Sequence, residues 1–158
     1  MKRKYTKSAL LLIDIQNEYF YKGKMEFKGS YEVASIAKKL LNDFRKKRKT
    51  VIHVQHIALN KNASFFISGS YGSQIYEEVA PIEGEMIIVK NNSNSFSGTD
   101  LLNYLNTKQI EHLTIIGMMS DMSNDPTVRT AKDLGFKVEA IGNEYVLKKN
   151  ILKNEYIS

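Results

Sequence analysis

Four polar side chains stand at the ends of aliphatic runs, where acid–base or nucleophilic chemistry is most easily built. Asp14 follows Leu11-Leu12-Ile13, His56 closes the run from Thr50, Lys90 follows Ile87-Ile88-Val89, and Ser123 lies just beyond Leu113 to Met118. A carboxylate partly withdrawn from water is a competent general base, and Lys90 ends its aliphatic run in the same way. The same two residues also read as a structural ion pair or as two solvated strand ends. Ser123 and Asp125 precede a helical pattern, and Ser and Asp are favoured helix N-caps, so capping is the simpler reading of either. A nucleophile at that place would gain from the helix dipole and from free backbone N–H groups.

With no cysteine in the chain, thiolate nucleophiles, thiolate metal sites and disulfides are all excluded. His53 and His56 do not form a metal pair, because a three-residue spacing along a strand points the rings to opposite faces. We expect no metal and no cofactor. His53, in mid-strand, reads as a hydrogen-bonded core residue, whereas His56 is expected to face the site.

These residues need a scaffold that brings strand ends together. Nearly continuous aliphatic runs at Ser8 to Ile13, Thr50 to Gln55, Met86 to Lys90, Leu113 to Met118 and Lys137 to Ile141 read as parallel strands covered on both faces. Between them, Tyr31 to Lys47 carries Val33, Ile36, Ala37, Leu40, Leu41 and Phe44 at helical spacing behind the candidate cap Ser30. Thr99 to Thr107 and Pro126 to Leu134 are further helices, the first with Thr99 as candidate cap and the second ending at Gly135. The predicted fold is α/β: three-layer, a Rossmann-like doubly wound, mostly parallel sheet with helices on both faces. Ligands in such sheets bind beyond the carboxyl ends of the strands, where the four polar residues fall. The long stretch from Ile57 to Glu85, with a short helix expected near Ser73 to Val79, reads as a lid or pocket wall.

The 158 residues fit one domain, taken as 1–158. A formal charge of +6 invites a nucleic-acid reading, but the lysines are scattered, and the one basic block, Arg45 to Lys49, suits a helix C-terminus. No nucleic-acid or membrane partner is expected. The basic start is followed by an apolar run that Asp14 interrupts, without a small-residue cleavage site, so the chain reads as cytoplasmic.

Taken together, Ala9-Leu-Leu-Leu-Ile-Asp14-Ile-Gln16-Asn-Glu-Tyr-Phe20, Val51-Ile-His-Val-Gln-His56, Lys90 with Asn94-Ser-Phe96-Ser-Gly-Thr-Asp-Leu, and Ile115-Ile-Gly117-Met-Met-Ser-Asp-Met-Ser123 resemble the isochorismatase-like family, also called cysteine hydrolases. The resemblance implies a catalytic triad at Asp14, Lys90 and the position of Ser123. It also implies an oxyanion hole from the N–H groups of Met119 and Ser123, and a non-proline cis peptide at Met118-Met119. Gln16, Phe20, His56 and Phe96 are the candidate substrate contacts, with Phe65 and Phe66 as further candidate walls.

The chain departs from the family pattern in three ways. Ser123 replaces the usual cysteine, and an alcohol ionises far less readily than a thiol. Asn124 and Pro126 alter the start of the following helix. The family continues through a further helix after the fifth strand, whereas residues 143–158 are all that remain here, so apolar surface is expected to be covered in a homo-oligomer, most simply a dimer. The function implied is hydrolysis of a small molecule at a C–N amide or a vinyl ether, with Ser123→Cys expected to create or raise amidase activity. The alternative is a catalytically inactive relative that binds a small ligand or a protein partner.

Overall fold

Strand β1 (Ser8–Ile13) shows why the molecule is layered: from Ala9 onward every residue is buried, because helices cover both sides of it. The computed structural model describes residues 7–118 and 121–142. In these, β1 is followed by α1 (Gly29–Lys46), β2 (Thr50–His56), β3 (Met86–Lys90), α2 (Leu101–Thr107), β4 (His112–Gly117), α3 (Pro126–Asp133) and β5 (Lys137–Ile141). The five strands form one sheet in the order β3-β2-β1-β4-β5, and every pairing is parallel. The expected α/β architecture is the one observed.

Alternate residues of β1 feed two cores. Leu10 and Leu12 join Val33, Ala37, Leu41 and Phe44 of α1, while Ala9, Leu11 and Ile13 join Leu101 and Leu105 of α2 and Val128 and Ala131 of α3. One strand thereby anchors three helices, through the two-residue alternation of a pleated chain.

Helix starts differ in instructive ways from the sequence reading. Ser30 is not the cap of α1: the backbone is already helical at Lys28, and Ser30 is buried inside the first turn with no partner for its hydroxyl. Thr99 is not the cap of α2 either: Asp100 holds that position without a side-chain bond, and the Thr99 hydroxyl oxygen, one residue earlier, accepts from the Leu101 N–H at 3.3 Å. At α3 the cap is Asp125, whose Oδ1 accepts from the Thr127 N–H at 2.8 Å. Pro126 takes the first helical position, where its missing N–H costs nothing, and it holds Asp125 extended. The helix expected near Ser73 to Val79 is reduced to a 3-10 turn, Glu77–Val79.

The sheet order reverses between β1 and β4, and the loops leaving these strands diverge there. Gly117 marks how closely they part, since a Cβ at this position would stand 3.0 Å from the Ile13 carbonyl oxygen and 3.2 Å from the Met122 side chain.

Candidate active site

A cavity of about 230 Å³ opens at this reversal, lined by Ile13, Asp14, Tyr19, His56, Phe66, Lys90, Ser93, Met118, Met122 and Asp125. Asp14 leaves β1 with a left-handed backbone (φ 59°), which Asp tolerates better than most residues, and its N–H is held by the Val54 carbonyl at 3.0 Å. Lys90 ends β3, one strand removed across β2, and its side chain is 2% exposed. Its Nζ lies 3.3 Å from Asp14 Oδ2 and donates to the Ser93 carbonyl at 3.3 Å.

The other Asp14 oxygen, Oδ1, is buried without a hydrogen-bond partner. Burial pushes the Asp14 carboxyl above its ordinary value; Lys90 and His56 oppose that push without cancelling it, and Asp125 adds to it. His56 is pulled the other way, downward, chiefly by desolvation, with Asp14 resisting and Lys90 assisting. The Tyr19 hydroxyl is pushed up to about 12 by burial and by the carboxylates of Asp14 and Glu18. A carboxyl that holds its proton more tightly than usual, beside a buried ammonium, is suited to taking and returning a proton near a polarised bond.

His56 lines the cavity, its ring 5.1 Å from that of Phe66. Gln16 does not. It is fully buried, and its amide is consumed by the backbone: Nε2 donates to His56 O (2.9 Å) and Ser73 O (2.7 Å), and Oε1 accepts from His56 N (2.9 Å). Gln16 therefore clamps the end of β2 to the long loop and leaves no group for a substrate. Phe20 is also outside the cavity lining, 1% exposed and stacked on Tyr76 at 3.6 Å. Phe96 packs with Phe136 against the core on the α2 and α3 side, and Phe65 is surface-exposed; neither lines the cavity, whereas Phe66 does.

Ser123 is not brought to Asp14 and Lys90. It lies exposed in the 3-10 turn Met122–Asn124, and its hydroxyl donates to Asp121 Oδ1 at 2.6 Å. The turn directs Met122 inward and Ser123 outward. Met119 and the peptide bond joining it to Met118, on which the oxyanion-hole and cis-peptide expectations fall, lie outside the described residues. Tyr19, Ser93, Met118, Met122 and Asp125 line the site without having been nominated as contacts. For Asp125 the signal was present, since a cap in front of the helix that follows β4 must sit at the ligand-binding edge of the sheet.

An open parallel sheet with an acid–lysine pair in the cleft where its strand order reverses is an α/β domain with its ligand site at the switch point. Residues 8–143 match the family model for the isochorismatase domain, and the chain belongs to that family. Over 134 residues it is 43% identical to the uncharacterized isochorismatase family protein YddQ of Bacillus subtilis (strain 168), covering 85% of this chain and 74% of that one. An isochorismatase-family hydrolase structure from Oleispira antarctica shares 38% identity at a TM-score of 0.80, covering 89% of this chain and 75% of the other. N-carbamoylsarcosine amidase from Thermoplasma acidophilum also superposes at a TM-score of 0.80, covering 86% and 82% of the two chains, but its 22% identity makes it a likeness of fold.

Proposed function

We propose that this protein is a small-molecule hydrolase that cleaves a C–N amide bond, with Asp14 as the proton-transferring group and water as the nucleophile. The observation that carries this reading is the Asp14–Lys90 pair facing a cavity whose described lining does not include Ser123, whose hydroxyl is engaged with Asp121. Asp14 takes a proton from water as its oxygen bonds to the carbonyl carbon, and returns it to the nitrogen as the C–N bond breaks. The products are a carboxylic acid and an amine. Lys90 holds the carboxylate and opposes charge build-up on the carbonyl oxygen. Family membership supports hydrolysis, and a 35% identity over 68 residues to the N-carbamoylsarcosine amidase of Arthrobacter sp supports the C–N choice over the vinyl ether.

The second reading, a ligand-binding relative without turnover, is favoured by the same outward serine. One experiment separates the two. Wild type, Asp14→Asn, Ser123→Ala and Ser123→Cys are assayed on a panel of small carboxamides and vinyl ethers. Amide turnover abolished by Asp14→Asn and unchanged in Ser123→Ala is the expected result. Loss in Ser123→Ala, or a tenfold or larger rise in Ser123→Cys, would return position 123 to the reacting centre. Silence throughout, with ligand still bound, would leave the binding reading. A homo-oligomer belongs to this proposal as well, supported by Ile87 and Val89 on the edge strand β3, 46% and 50% exposed; sedimentation as a monomer at all concentrations would refute it.

A further inference from the structure

The chain carries a formal charge of +6, yet its cavity does not share that excess. Among the described lining residues the charged and titratable side chains are Asp14, Asp125, Lys90, His56 and Tyr19. Lys90 is the one fixed cation among them, and its ammonium is already committed to Asp14 Oδ2 and the Ser93 carbonyl. His56 and Tyr19 are both held in their neutral forms near pH 7, the first by desolvation and the second by burial and neighbouring carboxylates.

Asp125 adds a second carboxylate to the wall, with the residue only 5% exposed. Its Oδ1 caps α3, so the N-terminus of that helix, otherwise an attractive seat for an anion, is occupied by the protein's own negative charge. A carboxylate has about four acceptor positions, and the cap uses one of them. The cavity wall thus sets two carboxylates against one ammonium, which Asp14 and the Ser93 carbonyl already engage through two of its three donors.

We propose that Asp125 makes this site selective for a compact amide that carries no anionic group, its free end donating N–H bonds to the Asp125 carboxylate. That such an amide is turned over rests on the hydrolase reading, whereas selectivity in binding stands apart from turnover. An ammonium or amide N–H end gains a charge-assisted hydrogen bond; a carboxylate end meets like charge. The size of the cavity, about 230 Å³, confines the choice to short molecules.

The test uses three probes that share one carboxamide: β-alaninamide, propionamide and succinamate, whose far ends are cationic, neutral and anionic. Binding is measured by calorimetry or ligand-observed NMR, and hydrolysis separately, for wild type, Asp125→Asn and Asp125→Ser. Both variants keep an oxygen that can cap α3, so melting temperature reports whether the cap survives. The wild type is expected to bind β-alaninamide at least about tenfold more tightly than succinamate, with propionamide between, and both variants to collapse that ratio to within about threefold. Binding selectivity that depends on Asp125 without hydrolysis of any probe would retire the hydrolase reading and keep this one. Tighter binding of succinamate by the wild type, an unchanged ratio in both variants, or no binding of any probe would overturn it.

Discussion

Strand β2 carries two histidines near two part-buried carboxylates, and the two neighbourhoods are built on opposite principles. At His53, Glu85 is fully engaged: Arg45 Nε and Nη2 donate to it at 2.7 and 2.9 Å, His53 Nε2 at 2.8 Å and the Ile82 N–H at 3.1 Å. Burial pushes the Glu85 carboxyl up, but these donors outweigh it and hold the group at about 2. At His56, Asp14 has one ammonium and an orphaned oxygen, and burial wins. A satisfied carboxylate is a staple between α1, β2 and the approach to β3; an under-satisfied one is free to change its protonation state.

The sharpest way to break the comparison is to remove each carboxylate. Glu85→Ala leaves Arg45 and His53 without their partner and is expected to cost about 3–5 kcal/mol in urea or thermal unfolding, with turnover per folded molecule unchanged. Asp14→Asn, which keeps an acceptor for Lys90, should do the converse, lowering turnover by about 10²–10⁴ with the smaller stability loss of the two.

The pair should also respond to pH with opposite signs. Glu85 is lowered from 4.5 to about 2, so its contribution is complete above about 4.5 and is lost as pH falls toward 2. His53, lowered by burial against the pull of Glu85, acts in the same sense, because acidification protonates it in the unfolded chain first. Asp14 is raised, so its contribution is complete below its ordinary 3.8 and is lost as pH climbs through the folded value. Unfolding curves across acid pH should therefore flatten below 4.5 in Glu85→Gln and steepen in Asp14→Asn. Turnover should lose its base on acidification at a pH above the ordinary carboxylate range.

A third carboxylate, this one buried, sharpens the contrast at smaller cost. Glu18, 2% exposed, accepts from the Phe66 N–H at 2.8 Å and so fixes an aromatic wall of the cavity. Gly72 abuts that carboxylate so closely that any Cβ would collide with it. Gly72→Ala is expected to cost about 1–3 kcal/mol and to raise KM more than it lowers kcat, as Phe66 shifts. Ser123→Ala, on an exposed turn, should change stability by less than about 0.5 kcal/mol.

How much of this the sequence disclosed depends on which question each residue answers. The sheet and the placement of Asp14, His56 and Lys90 were legible because a strand end in a parallel sheet has only one place to go. Gln16, Phe20 and Phe96 sat in the same motifs yet face elsewhere. Whether a side chain near a strand end turns inward depends on distant partners: Gln16 is claimed by the backbone of His56 and Ser73, and Phe20 by Tyr76. Ser123 was legible as a position and illegible as an orientation, which its bond to Asp121 decides. Asp125 was read as a cap, and it is one; that a cap also walls the cavity emerges only when the strands are assembled in space.

The central place of β1 has a consequence for the growing chain. The earliest of the five described strands is the one with neighbours on both sides, β2 early in synthesis and β4 only after residue 117 has been added. Throughout that interval a row of backbone donors and acceptors on an almost wholly aliphatic strand stays open, a template for pairing with any other extended chain. Parallel pairing between segments so distant in sequence is also intrinsically slow. A nascent chain stalled or cut between β2 and β4 would carry this open edge into the cell, so refolding yield should depend steeply on protein concentration even where the finished domain is stable.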